Sequence, residues 1–153
     1  MNALQAGVEV ADTVRACGTA VPAQRLLVVA VEDVTPSDLD GVADEAALYR
    51  LPGNSAASHD PWLPFDDEAF DIVVLYRVTS HNVDMQLLLG ETARVLRAKG
   101  NVLVLVHQAD FSFAPLPDTG PAHLLNGWLR EAGFASVDLS KHGESRLVAV
   151  AHA

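Results

Sequence analysis

The sequence predicts an α/β domain, with a mostly parallel sheet that has helices on both faces and ends in an antiparallel hairpin. Strands buried on both faces are predicted by three uninterrupted apolar runs, which are Leu26–Val31, Phe70–Tyr76 and Val102–Val106. Helical patterns separate these runs, so right-handed crossovers are expected to make the strands parallel. Two closing apolar runs, Phe134–Leu139 and Leu147–Ala151, have so short a link that they must be antiparallel to each other.

Two helices are predicted in the first half of the chain. Apolar residues three to four positions apart predict a helix over about residues 3–16, and they are Leu4, Val8 and Ala11. After the first strand, Thr35-Pro36-Ser37-Asp38 is typical of a helix start, with a capping threonine, proline in the first turn and an acid beside it. This helix is expected to continue through Leu39, Val42, Ala43 and Ala46. Residues 52–62 are rich in proline, glycine and small polar residues and predict a loop.

Two more helices are predicted in the second half. Asn82 can cap a helix with an apolar stripe, which consists of Met85, Leu88, Leu89, Thr92 and Leu96. Its last turn is expected to hold Arg94, Arg97 and Lys99, with Gly100 ending it. A long loop is predicted at Asp110–Gly120. Pro121 then begins a helix that Gly133 ends, with Leu124, Leu125, Trp128, Leu129 and Ala132 turned inward. A tight turn near His142-Gly143 joins the last two strands.

The charge and cysteine content disfavour several kinds of partner. The chain has 153 residues and a formal net charge of −10, so it repels nucleic-acid phosphates and anionic membranes. No apolar run approaches the roughly 20 residues that a membrane span needs. The single cysteine, Cys17, can form neither an internal disulfide nor a cysteine-rich metal site, which is typical of a reducing cytosol. We therefore expect one cytoplasmic domain over residues 1–153, with no nucleic-acid or membrane partner.

Short motifs in the second half follow one another in a specific order. They are Leu63-Pro64-Phe65, Asp67, Phe70-Asp71-Ile72-Val73-Val74, His81, Arg94–Gly100 and Leu124–Phe134. In this order they resemble class I S-adenosylmethionine (SAM) methyltransferases, in which LPF, FDxV, a histidine and RVLRPGG commonly occur at these points. The resemblance covers about residues 60–151 and implies a Rossmann-like methyltransferase fold. In that family these residues are mostly architectural, so the resemblance implies the fold more strongly than it implies catalysis.

The resemblance also implies where a cofactor would bind. In active members the first strand runs into a glycine-rich turn, typically GxGxG, whose missing side chains let backbone N–H groups approach the methionine part of SAM. If Leu26–Val31 is that strand, the turn contains Glu32, Asp33 and Val34 and no glycine. Placing the turn at Ala16-Cys17-Gly18-Thr19 instead leaves six residues before the next strand, fewer than a parallel crossover needs.

We therefore expect no bound cofactor, and an affinity for SAM no better than about 1 mM. If SAM does bind, the candidate residues are Glu32, Asp33, Asp60 and His81. No catalytic residue is assigned, because the chain has neither a nucleophile elbow nor a phosphate-binding glycine loop. No metal site is expected either, since the six histidines share no ligand spacing such as H-x-H.

A methyltransferase-like domain without its glycine turn is similar to the N-terminal domain of the anamorsin family, which acts in cytosolic iron–sulfur cluster assembly. The similarity rests on Phe70-Asp71-Ile72, Arg94–Gly100 and Val102–Val106. It implies a non-catalytic module that docks an electron-donating diflavin reductase, and Phe111 and Phe113 in the long loop are candidate contacts. The alternatives are a SAM-dependent small-molecule methyltransferase with a degenerate cofactor site, and a subunit that activates a catalytic partner.

Overall fold

The fold is built on one six-stranded sheet, seen in a computed structural model that describes residues 10–14, 23–30, 43–50, 63–78, 85–107, 121–141 and 146–152. The strands are β1 (Ala23–Ala30), β2 (Ala43–Arg50), β3 (Phe70–Tyr76), β4 (Leu96–His107), β5 (Ala135–Lys141) and β6 (Arg146–His152). The helices are α1 (residues 10–14), α2 (Met85–Val95) and α3 (Pro121–Glu131). None of these helices is long and apolar enough to cross a membrane.

The strand order confirms the predicted fold class. The order is β2-β1-β3-β4-β6-β5, in which β2, β1, β3 and β4 are parallel and β6 is antiparallel to both of its neighbours. The chain therefore leaves β1 toward one side of the sheet to form β2, and later returns to the other side of β1 to form β3. This is a Rossmann-like methyltransferase architecture with an antiparallel pair of strands at its end.

Two apolar clusters cover the two faces of the sheet. One contains alternate residues of β1, β3 and β4 together with the inward side chains of α2 and α3, and these helical residues are Leu88, Leu89, Val95 and Leu129. The other contains the intervening strand residues together with Val10, Ala11 and Val14 of α1. Because helices lie on both faces, β1, β3 and β4 are buried on both sides, which explains their uninterrupted apolar sequences.

Helix α3 ends where the sequence predicts. Gly133 has φ +96°, a left-handed conformation that glycine adopts without steric cost. The N–H of Phe134 donates to the carbonyl of Leu129, and that of Gly133 donates to the carbonyl of Arg130, which is a Schellman termination. Leu129 is fully buried, whereas Trp128 is half-buried and packs against the apolar cluster that contains the inward side chains of α2 and α3.

The helix predicted through Ala43 and Ala46 is wrong, because residues 43–50 form the edge strand β2. This strand pairs in parallel with β1 from Ala23↔Ala43 to Ala30↔Arg50. Its side chains alternate between the faces, since Ala47 and Tyr49 pack against one cluster and Leu48 against the other. The pairing with β1 and this burial outweigh the weak strand propensity of the sequence ADEAALYR.

The predicted end of α2 is also wrong. The helix ends at Val95, and Leu96–His107 is strand, so Leu96, Arg97 and Gly100 are not part of its last turn. Leu96 pairs with Phe70 and Asn101 pairs with Ile72, so residues 97–100 bulge out of the ladder between these two pairs. The pairing of Leu96 with Phe70 therefore decides where the helix stops.

Several predicted features lie outside the described residues. They are the two loops at residues 52–62 and 110–120, the turn at His142-Gly143, the caps at Thr35 and Asn82, and the ends of the N-terminal helix.

Candidate functional site

The four parallel strands end at one edge of the sheet, which we call the carboxyl edge. There Ala30 of β1 is opposite both Arg50 of β2 and Tyr76 of β3, and Tyr76 is also opposite Leu105 of β4. The connections of β1 and β3 leave toward opposite sides, so the sheet has its topological switch point between these two strands. Ligands of open α/β sheets bind in the crevice outside the carboxyl ends of the strands at such a point. The candidate site is therefore the carboxyl edge between β1 and β3.

The sheet order favours the placement of the cofactor turn after β1. Residues 10–14 are helical, so no strand directly precedes Ala16-Cys17-Gly18-Thr19. β1 is the strand at the switch point, and it ends at Ala30. The chain that follows has no glycine until Gly41 and contains Glu32, Asp33 and Val34. The ten residues that follow β1, at positions 31–40, therefore contain no glycine.

The four candidate cofactor residues, Glu32, Asp33, Asp60 and His81, all lie outside the described residues. In the ranges that the structure describes, no three His, Cys, Asp or Glu side chains are close enough to hold a metal ion.

Arg77 is a residue at this edge that the sequence analysis did not single out. It directly follows β3 and is half-buried between Tyr76 and Val78, which are both fully buried. Its φ is +56°, and its backbone N–H donates to the carbonyl of Leu105 at 2.7 Å. The signal in the sequence was a charged residue at the end of an uninterrupted apolar strand, beside the switch point.

The opposite edge of the sheet, the amino edge, holds the motifs that carry the family resemblance. Arg94 uses all five of its N–H donors. Nε and Nη2 bind the two carboxylate oxygens of Glu91, and Nη2 also binds the carbonyl of Leu63. Nη1 binds the carbonyl of Phe65 at 2.9 Å and the carboxylate of Asp67 at 2.7 Å. The Leu63 N–H in turn donates to Glu91. Arg94 thus ties the Leu63-Pro64-Phe65 segment to α2.

These contacts explain the ionisation of the pair. The hydrogen bond from Arg94 is the largest effect and lowers the pKa of Glu91 below its ordinary value of 4.5. Burial of the carboxylate opposes this shift, and the bond from the Leu63 N–H, which has a smaller effect than burial, lowers the pKa further. The carboxylates of Glu91 and Asp67 raise the pKa of Arg94 in return. Both groups are held in their charged forms, as a structural ion pair requires.

A second polar group holds the start of β3. The Asp71 carboxylate accepts a hydrogen bond from Arg97 and another from the backbone N–H of Arg25. The Arg25 guanidinium lies 5.1 Å from the centroid of the Phe70 ring, within the range of a cation–π contact. Asp71 of the FD pair is therefore joined to Arg97, the second arginine of RVLR, and Phe70 is joined to Arg25, at the edge of the sheet away from the switch point.

Comparison with known proteins gives a family and a fold. The sequence profile of the family described as "Methyltransferase domain" matches residues 15–104. A SAM-dependent methyltransferase from Aquifex aeolicus has a TM-score of 0.64 and 13% identity, with 92% of this chain and 87% of that chain covered. Among curated proteins there is no match.

Two further solved structures have the same fold. A SAM-dependent methyltransferase from Thermotoga maritima has a TM-score of 0.57 and 12% identity, covering 97% of this chain and 88% of that one. The [4+2]-cyclase SpnF has a TM-score of 0.59 and 17% identity, covering 99% of this chain and 82% of that one. At these identities the likeness is one of fold. A protein named for cyclisation also has this fold, so the fold does not determine the reaction.

Proposed function

Because this chain belongs to the methyltransferase domain family, we propose that it is a SAM-dependent small-molecule methyltransferase with a weakened cofactor site at the carboxyl edge of its sheet. The observation that supports the proposal most directly is the switch point between β1 and β3, where ligands of open α/β sheets bind. SAM would supply a methyl group on a positively charged sulfur. A cytoplasmic location accords with the single cysteine.

SAM fits this edge in part. The segment after β1 has no glycine, so the backbone cradle for the methionine part is missing. The net charge of −10 favours a cationic ligand such as SAM. The candidate contacts from the sequence remain Glu32, Asp33, Asp60 and His81, to which the structure adds Arg77 at the end of β3. A partial fit of this kind supports weak binding.

We expect SAM and S-adenosylhomocysteine to bind the purified domain no better than about 1 mM, since the segment after β1 has no glycine that would let the cofactor approach. The measurement is isothermal titration calorimetry. In the variant Glu32→Gly/Val34→Gly the affinity is expected to rise at least about tenfold, which corresponds to about 1.4 kcal/mol. The matched control is Asp66→Gly, which adds a glycine and removes one carboxylate in the exposed segment before β3. It is expected to leave the affinity unchanged.

If neither ligand binds to the wild type or to the double-glycine variant, the methyltransferase proposal is wrong. If the double-glycine variant and the Asp66→Gly control gain affinity equally, the gain does not come from the segment after β1, and this segment is not part of the site.

The glycine-free segment after β1 favours a second candidate function, a non-catalytic module of the anamorsin type that docks a diflavin reductase. We expect the wild-type domain to retain such a reductase in a pull-down at low salt, and rising salt to slow association because charge steers the encounter. The variant Phe111→Ser/Phe113→Ser is expected to weaken retention. Both phenylalanines lie outside the described residues. The control is Leu87→Ser, which removes an exposed apolar side chain elsewhere on the surface, from α2.

Failure of the wild-type domain to retain a reductase at low salt rules out this second function for the isolated domain. Equal losses in the Leu87→Ser control and in the double-serine variant would instead mean that binding depends on general surface hydrophobicity.

A further inference from the structure

We propose that the outer side of β2, the side that faces away from β1, is a docking site for an extended basic segment of another protein, which adds to the sheet as a further strand. This inference goes beyond the proposed function and does not depend on SAM binding. Three observations carry it, namely the open outer side of β2, the contrast between the two edge strands of the sheet, and the acidic residues at the start of β2.

The outer side of β2 is open to a further strand. β2 is the last strand of the sheet on its side, and it pairs with β1 from its first residue to its last without a shift in register. No other strand that the structure describes pairs with it. Asp44, Glu45 and Ala46 are three successive exposed residues. Because successive side chains point to opposite faces of a sheet, both faces are open to solvent at the start of β2.

The other edge strand, β5, is protected against such pairing. Its register against β6 shifts between Ala135 and Asp138, and Ser136 has φ +53°, which is unfavourable for a residue other than glycine. A bulge turns an edge away from an incoming strand, and an exposed charge such as Asp138 in the middle of the strand opposes its burial. β2 has no bulge, and its middle residues, Ala46–Leu48, are uncharged. Of the two edge strands, β2 is therefore the one suited to receive another strand.

The acidic residues at the start of β2 indicate the chemistry of the partner. Glu45 lies 3.3 Å from Nε of Arg25 in an exposed ion pair, whereas the Asp44 carboxylate has no ion pair with any residue that the structure describes. A second copy of this chain would bring another net charge of −10 to the same edge, so repulsion opposes pairing between copies. A basic segment is attracted instead, which accelerates its encounter with β2.

The register fixes the residue pattern of the partner segment. An antiparallel pair is slightly more stable per residue than a parallel pair, and residues directly opposite one another lie on the same face. The segment is therefore expected to carry uncharged β-branched residues opposite Ala46–Leu48, followed by two basic residues opposite Glu45 and Asp44. In this mode of recognition main-chain hydrogen bonds give affinity, and the alternating side chains give specificity.

The probe for this site is a fluorescein-labelled peptide with the sequence TTVTVKK, and fluorescence anisotropy at low salt measures its binding to the purified chain. For the peptide TTVTVEE the affinity is expected to be about tenfold lower or less. The variant Asp44→Lys is expected to weaken binding of TTVTVKK about threefold or more, because an attractive contact becomes repulsive. The matched control is Asp138→Lys, which makes the same change on β5 and is expected to leave the affinity within about twofold.

N-methylation of the peptide distinguishes strand addition from simple charge attraction. Alternate residues of an added strand turn their N–H groups toward β2, and the residues between them turn away. Methylation of the first set in TTVTVKK is expected to abolish binding, and methylation of the second set is expected to leave the affinity within about twofold. Hydrogen exchange measured by NMR is expected to slow for amides of β2, and not of β5, when the unmethylated peptide binds.

Three results would overturn docking on β2. The first is that TTVTVKK does not bind, or that both methylated peptides bind equally. The second is that Asp44→Lys and Asp138→Lys have equal effects, or that the peptide protects β5 in place of β2. The third is a dimer of the wild-type chain in sedimentation analysis that the peptide dissociates, which would identify a second copy of the chain as the occupant of this edge.

Discussion

Replacing Arg94 with glutamine is expected to lower the free energy of unfolding by about 3 kcal/mol, because it leaves the Glu91 carboxylate and two backbone carbonyls without their charged donor. Arg94 binds Glu91 through both carboxylate oxygens and holds the carbonyls of Leu63 and Phe65. The side chain of Glu91 is only 22% exposed, so water replaces the lost contacts poorly. Urea denaturation followed by circular dichroism measures the loss.

The matched control for Arg94→Gln is Arg130→Gln. Arg130 is exposed at the end of α3 and bonds Asn126 of the same helix, so its replacement is expected to cost less than about 0.5 kcal/mol. Similar losses in the two variants would contradict the assignment of Arg94 as the residue that ties the Leu63-Pro64-Phe65 segment to α2.

The pH dependence provides a second readout of the Arg94 contacts. The pKa of Glu91 is lowered in the folded state, so the unfolded state binds a proton first as the pH falls. The contribution of Glu91 to stability is therefore present above its ordinary pKa of 4.5 and is lost as the pH falls through its folded value. In Arg94→Gln the largest cause of the lowered pKa is absent. The stability of this variant is expected to fall less steeply below pH 4.5 than that of the wild type.

Replacing Gly100 with alanine is expected to destabilise the domain by about 1–3 kcal/mol, because the new methyl group would overlap atoms that cannot move away. A Cβ atom at this position would lie 2.8 Å from the carbonyl oxygen of Asp71 and 3.1 Å from that of Arg97. Both are backbone atoms, and they belong to the segments where β4 approaches β3. The strands would have to separate at the same point where Arg97 binds Asp71.

Gly90 offers a control of opposite sign for the Gly100 substitution. It lies in the middle of α2, is exposed, and a Cβ atom built there would meet nothing within 4 Å. Gly90→Ala is expected to stabilise the domain by about 0.5–1 kcal/mol through helix propensity alone. Midpoints of urea denaturation for the two variants should therefore move in opposite directions. An unchanged midpoint for Gly100→Ala would mean that β4 does not approach Asp71 so closely.

Features that depend on nearby residues could be predicted from the sequence. The uninterrupted apolar runs of β1, β3 and β4 indicated strands buried on both faces, because burial on both sides removes the need for polar alternation. Gly133 marked the end of α3, since a left-handed residue at that position favours glycine. The short link before β6 required an antiparallel pair. The absence of glycine after β1 could also be seen in the sequence. The family profile and the sheet order agree with the predicted fold class.

Features that depend on distant residues required the tertiary structure. The segment ADEAALYR has helical spacing and weak strand propensity, and it is a strand because β1 pairs with it. Leu96 leaves the helix because Phe70, 26 positions earlier, pairs with it. Arg94 and the Leu63 carbonyl are 31 positions apart, and Arg77 gains its place from the register of β1 against β3. A local sequence pattern reports propensity and burial. The partner of a strand edge or of a charged side chain is set by how distant segments pack together, so only the folded sheet could bring these residues to their positions.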